Sequence, residues 1–155
     1  MGRWAGWIGR MMRRGKDRRP ESASREGAVR LRHVALVCRS EENADKFFVE
    51  VLGLKKGETR PLTRELALAV FEVDFESKMA YYSNENVQFE VFVVPHHQVQ
   101  ASPIAHVSLG VDDMAGFLER CRLAEVTVRR IPKGESYLTF VLDSDYNLFE
   151  IKEKS

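Results

Sequence analysis

The sequence predicts an α+β protein made of two βαβββ modules that form a curved, cup-like mixed sheet. Two repeated patterns predict this class. The pattern H-V-x-L begins at His33 and again at His106, and the pattern F-E-[VI] begins at Phe89 and again at Phe149. Because the two patterns recur in the same order, each half is predicted to open with a His and a strand. A helix follows, and the half closes on a strand with a central Glu.

The first predicted helix begins after the opening strand of module one. Ser40 is a residue type that caps helix N-termini. Gly53 stands at the C′-like position where such a helix ends. Between them lies an apolar stripe at helical spacing: Ala44, Phe47, Phe48, Val51 and Leu52.

The remainder of module one is predicted to hold three more strands. Residues 55–60 form a short strand, and residues 78–83 and 87–94 form two strands joined by the hairpin-type turn Asn84-Glu85-Asn86. Residues 63–71 are ambiguous, because their apolar residues have helical spacing. A short extra helix there accounts for the greater length of this half.

Module two repeats the plan. Asp112 or Asp113 caps a helix that carries Met114, Phe117, Leu118 and Cys121. Strands are predicted at residues 127–131, 137–142 and 148–152, with a turn-rich cluster at residues 143–147 before the last of them.

Composition divides the chain into a basic leader and an acidic body. The chain has 155 residues, 44% of them hydrophobic and 30% charged, which predicts one globular domain. Residues 1–30 hold nine Lys and Arg against three acids, and residues 31–155 hold fifteen against twenty. We therefore predict one domain at 31–155, with module one at 31–98 and module two at 103–153. An acidic body disfavours a nucleic-acid partner.

The leader, residues 1–30, permits two interpretations. Trp4, Trp7, Ile8, Met11 and Met12 fall on one helical face among arginines, which is typical of a transit peptide or a membrane-surface anchor. Four glycines weaken such a helix, and a disordered tail is the alternative. We expect a cytoplasmic protein, or a mitochondrial matrix protein if the leader is a transit peptide. No apolar run approaches the roughly 18 residues of a membrane span. Two cysteines are too few for a disulfide scaffold.

Two histidines and two glutamates occupy equivalent positions in the repeat: His33, Glu90, His106 and Glu150. If a pseudo-two-fold axis relates the modules, these four side chains can converge in one cup, within a molecule or across a dimer. Two imidazoles and two carboxylates suit one divalent ion, namely Ni²⁺, Zn²⁺, Co²⁺, Mn²⁺ or Fe²⁺. Such a metal can bind two adjacent substrate oxygens and stabilise an enediolate, while Glu150 or Glu90 moves the proton as the catalytic group.

The repeat resembles the vicinal oxygen chelate superfamily, which includes glyoxalase I, methylmalonyl-CoA epimerase, extradiol dioxygenases, fosfomycin-resistance transferases and bleomycin-binding proteins. The resemblance covers residues 31–153 and is carried by residues 32–36, the segment FFVEVLGL at 47–54, residues 105–109 and residues 143–150. It implies metal ligands at His33, Glu90, His106 and Glu150, and a homodimer as the common assembly.

Within that superfamily, the ligand pattern is closest to glyoxalase I, which is similar in having a carboxylate at the position of Glu90. The epimerase carries a glutamine there, fosfomycin enzymes and extradiol dioxygenases use three ligands, and bleomycin-binding members have lost the metal. Glyoxalases also place an arginine four residues beyond the first ligand to hold the glutathione carboxylate. In this sequence that position is Val37.

Three functions follow from these observations. The first is a metal-dependent lyase or isomerase of glyoxalase I type acting on a small α-oxygenated substrate, and the second is a methylmalonyl-CoA epimerase-like enzyme. Under either one, Arg129, Arg130 and Lys133 are candidates to bind an anionic tail of the substrate. The third is a non-enzymatic protein that sequesters a small drug-like molecule on aromatic surface from Phe47, Phe71, Phe75, Tyr81, Tyr82, Phe89 and Phe92.

Overall fold

A computed structural model of the chain describes residues 31–96 and 104–154. Eight strands are present in this part: β1 Val34–Cys38, β2 Lys55–Leu62, β3 Ser77–Ser83, β4 Gln88–Val93, β5 Val107–Val111, β6 Thr127–Lys133, β7 Ser136–Leu142 and β8 Leu148–Glu153. The α-helices of this part are α1 Glu41–Ala44, α2 Arg64–Phe71 and α3 Met114–Leu123, and a π-helical segment, Asp45–Val51, continues α1.

The strands form two four-stranded mixed sheets of identical topology. The first sheet has the order β1-β4-β3-β2 and the second has the order β5-β8-β7-β6. In each sheet the opening strand pairs in parallel with the closing strand, and the other pairs are antiparallel. The predicted α+β class and the two βαβββ modules are confirmed. The two sheets remain separate, with β1 and β5 each at an edge.

The first helix begins and ends where the sequence predicts, but its winding differs. The Ser40 side chain accepts a hydrogen bond from the backbone N–H of Asn43, and Gly53 has a φ of 70° just beyond the last helical turn. After Ala44 the backbone becomes π-helical, with the N–H of Leu52 donating to the carbonyl of Phe47 at 3.0 Å. In this wider winding the segment buries Phe47, Phe48 and Val51 in the core.

The ambiguous segment of module one is a helix. α2 is capped by Thr63, whose hydroxyl accepts from the N–H of Leu66 at 3.3 Å. Only Ala67 of this helix is buried, so Leu66, Leu68, Val70 and Phe71 are exposed. In module two, Asp113 rather than Asp112 caps α3, by accepting from the N–H of Gly116.

One aromatic core joins the two modules. Phe47 packs against Phe149 of β8 with ring centroids 4.7 Å apart, and Phe48 packs against Phe89 of β4 at 5.1 Å. Phe89 and Phe149 are themselves 6.2 Å apart. The faces of both sheets that carry these two residues therefore meet in a single hydrophobic core. We call the opposite face of each sheet its outer face.

A polar junction also links the modules. The guanidinium of Arg39, just after β1, donates to the carboxylate of Asp145, which also accepts from Asn43 at 3.1 Å. The amide of Asn147 donates to the carbonyl of Val37 at 3.0 Å and so satisfies part of the free edge of β1. The turn before β8 is thereby fixed to module one.

The predicted leader, residues 1–30, lies outside the described residues. Within the part of the chain that the structure describes, no helix is long and apolar enough to cross a membrane.

Candidate metal centre

The four predicted ligands form two His–Glu pairs, one in each module. Nε2 of His33 lies 3.3 Å from a carboxylate oxygen of Glu90, and Nε2 of His106 lies 3.8 Å from a carboxylate oxygen of Glu150. Each His directly precedes the opening strand of its sheet, and each Glu is central in the adjacent closing strand. The repeat in the sequence is therefore a repeat of geometry.

Alternation along the closing strands puts both carboxylates on the outer faces. Phe89 and Val91 are buried on either side of Glu90, and Phe149 and Ile151 are buried on either side of Glu150. The two glutamate side chains are 16% and 14% exposed, and those of His33 and His106 are 41% and 36% exposed. Each pair is thus a carboxylate set into the sheet beside a more accessible imidazole.

The separations within the pairs fit shared coordination of a metal ion. Bonds from Zn²⁺ to imidazole nitrogen and carboxylate oxygen are about 2.0–2.2 Å long, so two ligands at right angles lie about 3 Å apart, and two at the tetrahedral angle about 3.4 Å apart. The 3.3 Å of the His33–Glu90 pair lies within this range, and the 3.8 Å of the second pair is slightly wider. Each pair can therefore supply half of a four-ligand site.

The two pairs do not converge within one chain. Among residues 31–96 and 104–154, no three His, Cys, Asp or Glu side chains are grouped so that they could hold a metal ion. The reason lies in the packing of the modules, because the faces that meet in the core are those opposite the two pairs. The sequence leaves two arrangements open, a site within one chain and a site across a dimer. The packing of the described residues does not bring the two pairs together within one chain.

The first pair has an aromatic hydroxyl beside it. Tyr81 of β3 is the residue opposite Glu90 in the sheet register, so both side chains share the outer face. Burial and then the charge of Glu90 raise the pKa of the Tyr81 phenol. The guanidinium of Arg60 lies 5.8 Å from the centre of the Tyr81 ring, within cation–π distance. Tyr81 therefore stays protonated and can donate a hydrogen bond next to Glu90.

The second pair is held by its own neighbours. Nδ1 of His106 lies 2.8 Å from the carbonyl oxygen of Ile104, which can only accept, so in the neutral ring Nδ1 carries the proton and Nε2 is the nitrogen that can bind a metal. The ring also contacts Phe140 edge-on, with centroids 5.6 Å apart. This orientation suits His106 to ligate through Nε2.

Glu150 is kept ionised by its surroundings. The ammonium of Lys152 lies 3.2 Å from its carboxylate, and the hydrogen bond to Lys152 is the main cause that lowers the pKa of Glu150; a further one comes from Ser108. The sequence analysis missed both neighbours. The period-2 spacing of strands could have indicated them, because Lys152 follows Glu150 by two residues and Ser108 follows His106 by two.

The candidate anion-binding residues separate between the two faces. Arg129 pairs with Phe140, which in turn pairs with Glu150, so Arg129 lies on the outer face two strands from the carboxylate. Arg130 alternates to the other face, where its guanidinium lies 4.3 Å from the centre of the Tyr137 ring. Lys133 ends β6 at the exposed β6–β7 hairpin.

Comparison of structures shows what these sheets resemble. One similar solved structure is a glyoxalase family protein from Bacillus cereus, with a TM-score of 0.63 and 16% identity over 85% of this chain and 98% of that one. Another is the fosfomycin resistance protein FosX from Mesorhizobium loti, with a TM-score of 0.59 and 14% identity over 81% of this chain and 91% of that one. The chain has the vicinal oxygen chelate fold.

This fold is shared at low sequence identity. FosX from Listeria monocytogenes, in a structure with Mn(II) and a sulfate ion, matches with a TM-score of 0.60 and 15% identity over 83% of this chain and 94% of that one. Comparison of sequences alone finds no matching protein-family model and no matching curated protein. The similarity is therefore one of architecture, and it shows the fold alone.

Proposed function

We propose that this chain is a divalent-metal-dependent lyase or isomerase of glyoxalase I type, which moves a proton between adjacent carbons of a small α-oxygenated substrate. The observation that carries the proposal is the pair of equivalent His–Glu contacts, His33–Glu90 and His106–Glu150, on the outer faces of two identically connected sheets. Two unrelated surface contacts would have no reason to recur at matched positions.

The complete site is proposed to form across a homodimer. The first pair lies at the β1 edge of one sheet, and the second lies at the β5 edge of the other. An edge strand offers unpaired backbone groups to another chain. Placing the β1 edge of one copy beside the β5 edge of a second copy would bring two imidazoles and two carboxylates together. Two-fold symmetry would then generate two such sites.

A bound cation would polarise the two substrate oxygens, which are on adjacent carbons, and so acidify the C–H bond of the hydroxyl-bearing carbon next to the carbonyl. Glu150, kept ionised by Lys152, is suited to accept the proton from that carbon and return it to the neighbouring one. Glu90 would be the second carboxylate, with the Tyr81 hydroxyl beside it to orient a substrate oxygen. The outer-face position of Arg129 makes it the best placed of the three predicted anion-binding residues.

The donor set of nitrogen and oxygen atoms suits Ni²⁺, Zn²⁺, Co²⁺, Mn²⁺ or Fe²⁺. The FosX structure with Mn(II) supports the choice of a divalent ion. Cys38 and Cys121 are free and buried, which supports a reducing compartment such as the cytoplasm.

The metal content of the purified protein tests the proposal. Full-length protein, purified without chelator, would be compared with His106→Ala and with the control Glu119→Ala, which removes an exposed carboxylate of α3 outside both pairs. We expect about one divalent ion per chain in wild type and in the control, and a large loss in His106→Ala. Reconstituted protein would then be assayed on hemithioacetals and on acyl-CoA esters.

The outcomes separate the candidate functions. Turnover of a hemithioacetal supports the lyase, whereas proton exchange in an acyl-CoA ester without hemithioacetal turnover supports the epimerase. Wild-type protein that binds no metal even after reconstitution would overturn both enzymatic proposals and favour the sequestering protein.

A further inference from the structure

An apolar cavity lies on the outer face of the first sheet, between the sheet and α2. Its volume is about 590 Å³. Ala35, Val37 and Phe92 line it from the sheet, and Phe71 and Phe75 line it from the end of α2 and the turn that follows. The rings of Phe71 and Phe92 meet edge to face, with centroids 5.4 Å apart. The extra helix of module one thus forms one wall of the cavity.

The cavity lies next to Glu90 of the first His–Glu pair, on the same face of the sheet. Ala35 is the residue opposite Glu90 in the register between β1 and β4, and Phe92 follows Glu90 by two residues on the same face. A molecule whose oxygens lie at Glu90 would therefore extend directly into the cavity. Between the carboxylate and the apolar lining there is no intervening strand.

The lining of the cavity selects for apolar groups. Among the described residues that line it, His96 is the only polar one, and none is Lys or Arg. Phe71 is 48% exposed and Phe75 is 36% exposed, so both rings hold apolar surface that a bound group would remove from water. The volume falls within the range of about 300–1,000 Å³ typical of small-molecule sites.

Among the described residues that line the cavity, there is no Lys or Arg to pair with a carboxylate tail. Val37 supplies apolar surface there, and the neighbouring Arg39 is engaged with Asp145 in the junction between the modules. An anionic group placed in the cavity would lose its hydration and find only the His96 imidazole as a polar partner among the described lining residues, which is unfavourable.

We propose that this cavity binds an apolar substituent, an aryl or branched alkyl group, of the compound whose oxygens lie at Glu90. That this compound is a substrate rests on the proposed function. The cavity itself binds apolar groups whether or not metal is present. α2 is then a specificity element, because its last residue, Phe71, supplies a wall of the cavity.

Binding of a neutral apolar dye tests the cavity independently of catalysis. N-phenyl-1-naphthylamine would be titrated into full-length protein, with and without added Mn²⁺, and its fluorescence followed. The variants are Phe71→Ala, which removes a wall, and Val37→Lys, which brings a charge to the cavity. Leu68→Ala is the matched control, because Leu68 lies on the same helix, is 53% exposed and does not line the cavity.

We expect dye affinity to fall about tenfold in Phe71→Ala and Val37→Lys and to stay within about twofold in Leu68→Ala. Circular dichroism and thermal unfolding would show that the variants are folded. Dye binding that is absent, or that responds equally to Phe71→Ala and Leu68→Ala, would overturn the assignment. So would a loss of dye binding on dimerisation, because a second copy would then be the occupant.

Substrate preference extends the test. If metal content and hemithioacetal turnover support the proposed function, the ratio of kcat/KM for phenylglyoxal and methylglyoxal hemithioacetals should exceed one and should fall in Phe71→Ala. A ratio of one in wild type would contradict the role in specificity. Failure of the proposed function shows instead as absent metal and turnover while dye binding persists, so the two failures are distinguishable.

Discussion

Complementation between two inactive variants tests whether each site is shared between two copies of the chain. One variant would carry His33→Ala and Glu90→Gln, and the other His106→Ala and Glu150→Gln. Each removes one complete His–Glu pair and leaves the other, whose members are in contact at 3.3 or 3.8 Å. In a shared-site dimer, every site of either pure variant lacks two of its four ligands, so both variants should be inactive.

Mixing the two variants should restore a defined fraction of function. Random reassociation from urea gives about half mixed dimers, and each mixed dimer has one site with all four ligands and one site with none, because of the two-fold symmetry. Metal content and turnover should therefore recover to about a quarter of wild type. The assay is metal analysis by mass spectrometry together with hemithioacetal turnover, and each variant reassociated with itself is the control.

The shared site would be refuted by a mixture that stays as metal-free as its components although light scattering shows mixed dimers. A wild-type protein that is monomeric and still binds metal would refute it equally. Undiminished metal binding by one pure variant would also contradict the shared site, because the remaining pair would then suffice.

Three further predictions concern stability. Phe149→Ala should lower the free energy of unfolding by about 3–5 kcal/mol, because its fully buried ring packs against Phe47 of the first helix and Phe89 of β4. Urea unfolding measures this loss. A loss under about 1 kcal/mol would contradict the position of Phe149 in the core. Gly53→Ala should cost about 1–2 kcal/mol, because an L side chain is strained at its φ of 70°. The control Gly110→Ala should cost much less by the same assay, because the added Cβ would meet the Lys154 side chain at 3.5 Å and the backbone oxygen of Lys152 at 4.0 Å, which are ordinary van der Waals distances. Burial raises the pKa of Asp143, so the folded state binds this proton more tightly than the unfolded state. The resulting stabilisation is present below the unfolded pKa and lost as pH rises through the folded pKa, and Asp143→Asn should flatten this part of the unfolding profile; an unchanged profile would contradict the assignment.

The fold could be predicted from the sequence because the repeat is strict where the core requires it. Phe89 and Phe149 are fixed by the shared core, and the alternation then determines the face of Glu90 and Glu150. The boundaries of α2 were harder to predict, because its apolar residues do not mark a buried face. In α2 only Ala67 is buried, so most of the apolar residues whose spacing suggests a helix are exposed to solvent.

The convergence of the site could not be predicted in the same way. Each His–Glu contact lies between adjacent strands of one module, and the repeated patterns were enough to bring its members together. The relation between the two pairs depends on which faces of the modules pack on each other. Contacts between the modules, such as Phe47 with Phe149, determine which faces pack together, and no sequence pattern within a single module specifies these contacts. The assignment of the four residues as ligands stays a prediction.

Divergence between the two modules gives the proposed site a direction. Ala35 lies opposite Glu90 in the first sheet, and Ser108 lies opposite Glu150 in the second. Two residues after each glutamate, the first sheet has Phe92 and the second has Lys152. One wall of a shared site would therefore be apolar and the other polar and cationic. A substrate with an apolar group at one end and oxygens or an anionic group at the other fits in only one orientation. Under the proposed function, that orientation would present the acidic C–H bond of the substrate to Glu150, whose pKa is lowered by Lys152. Under the proposed function, the internal repeat would supply two equivalent half-sites, and the differences between its copies would determine how a substrate binds between them.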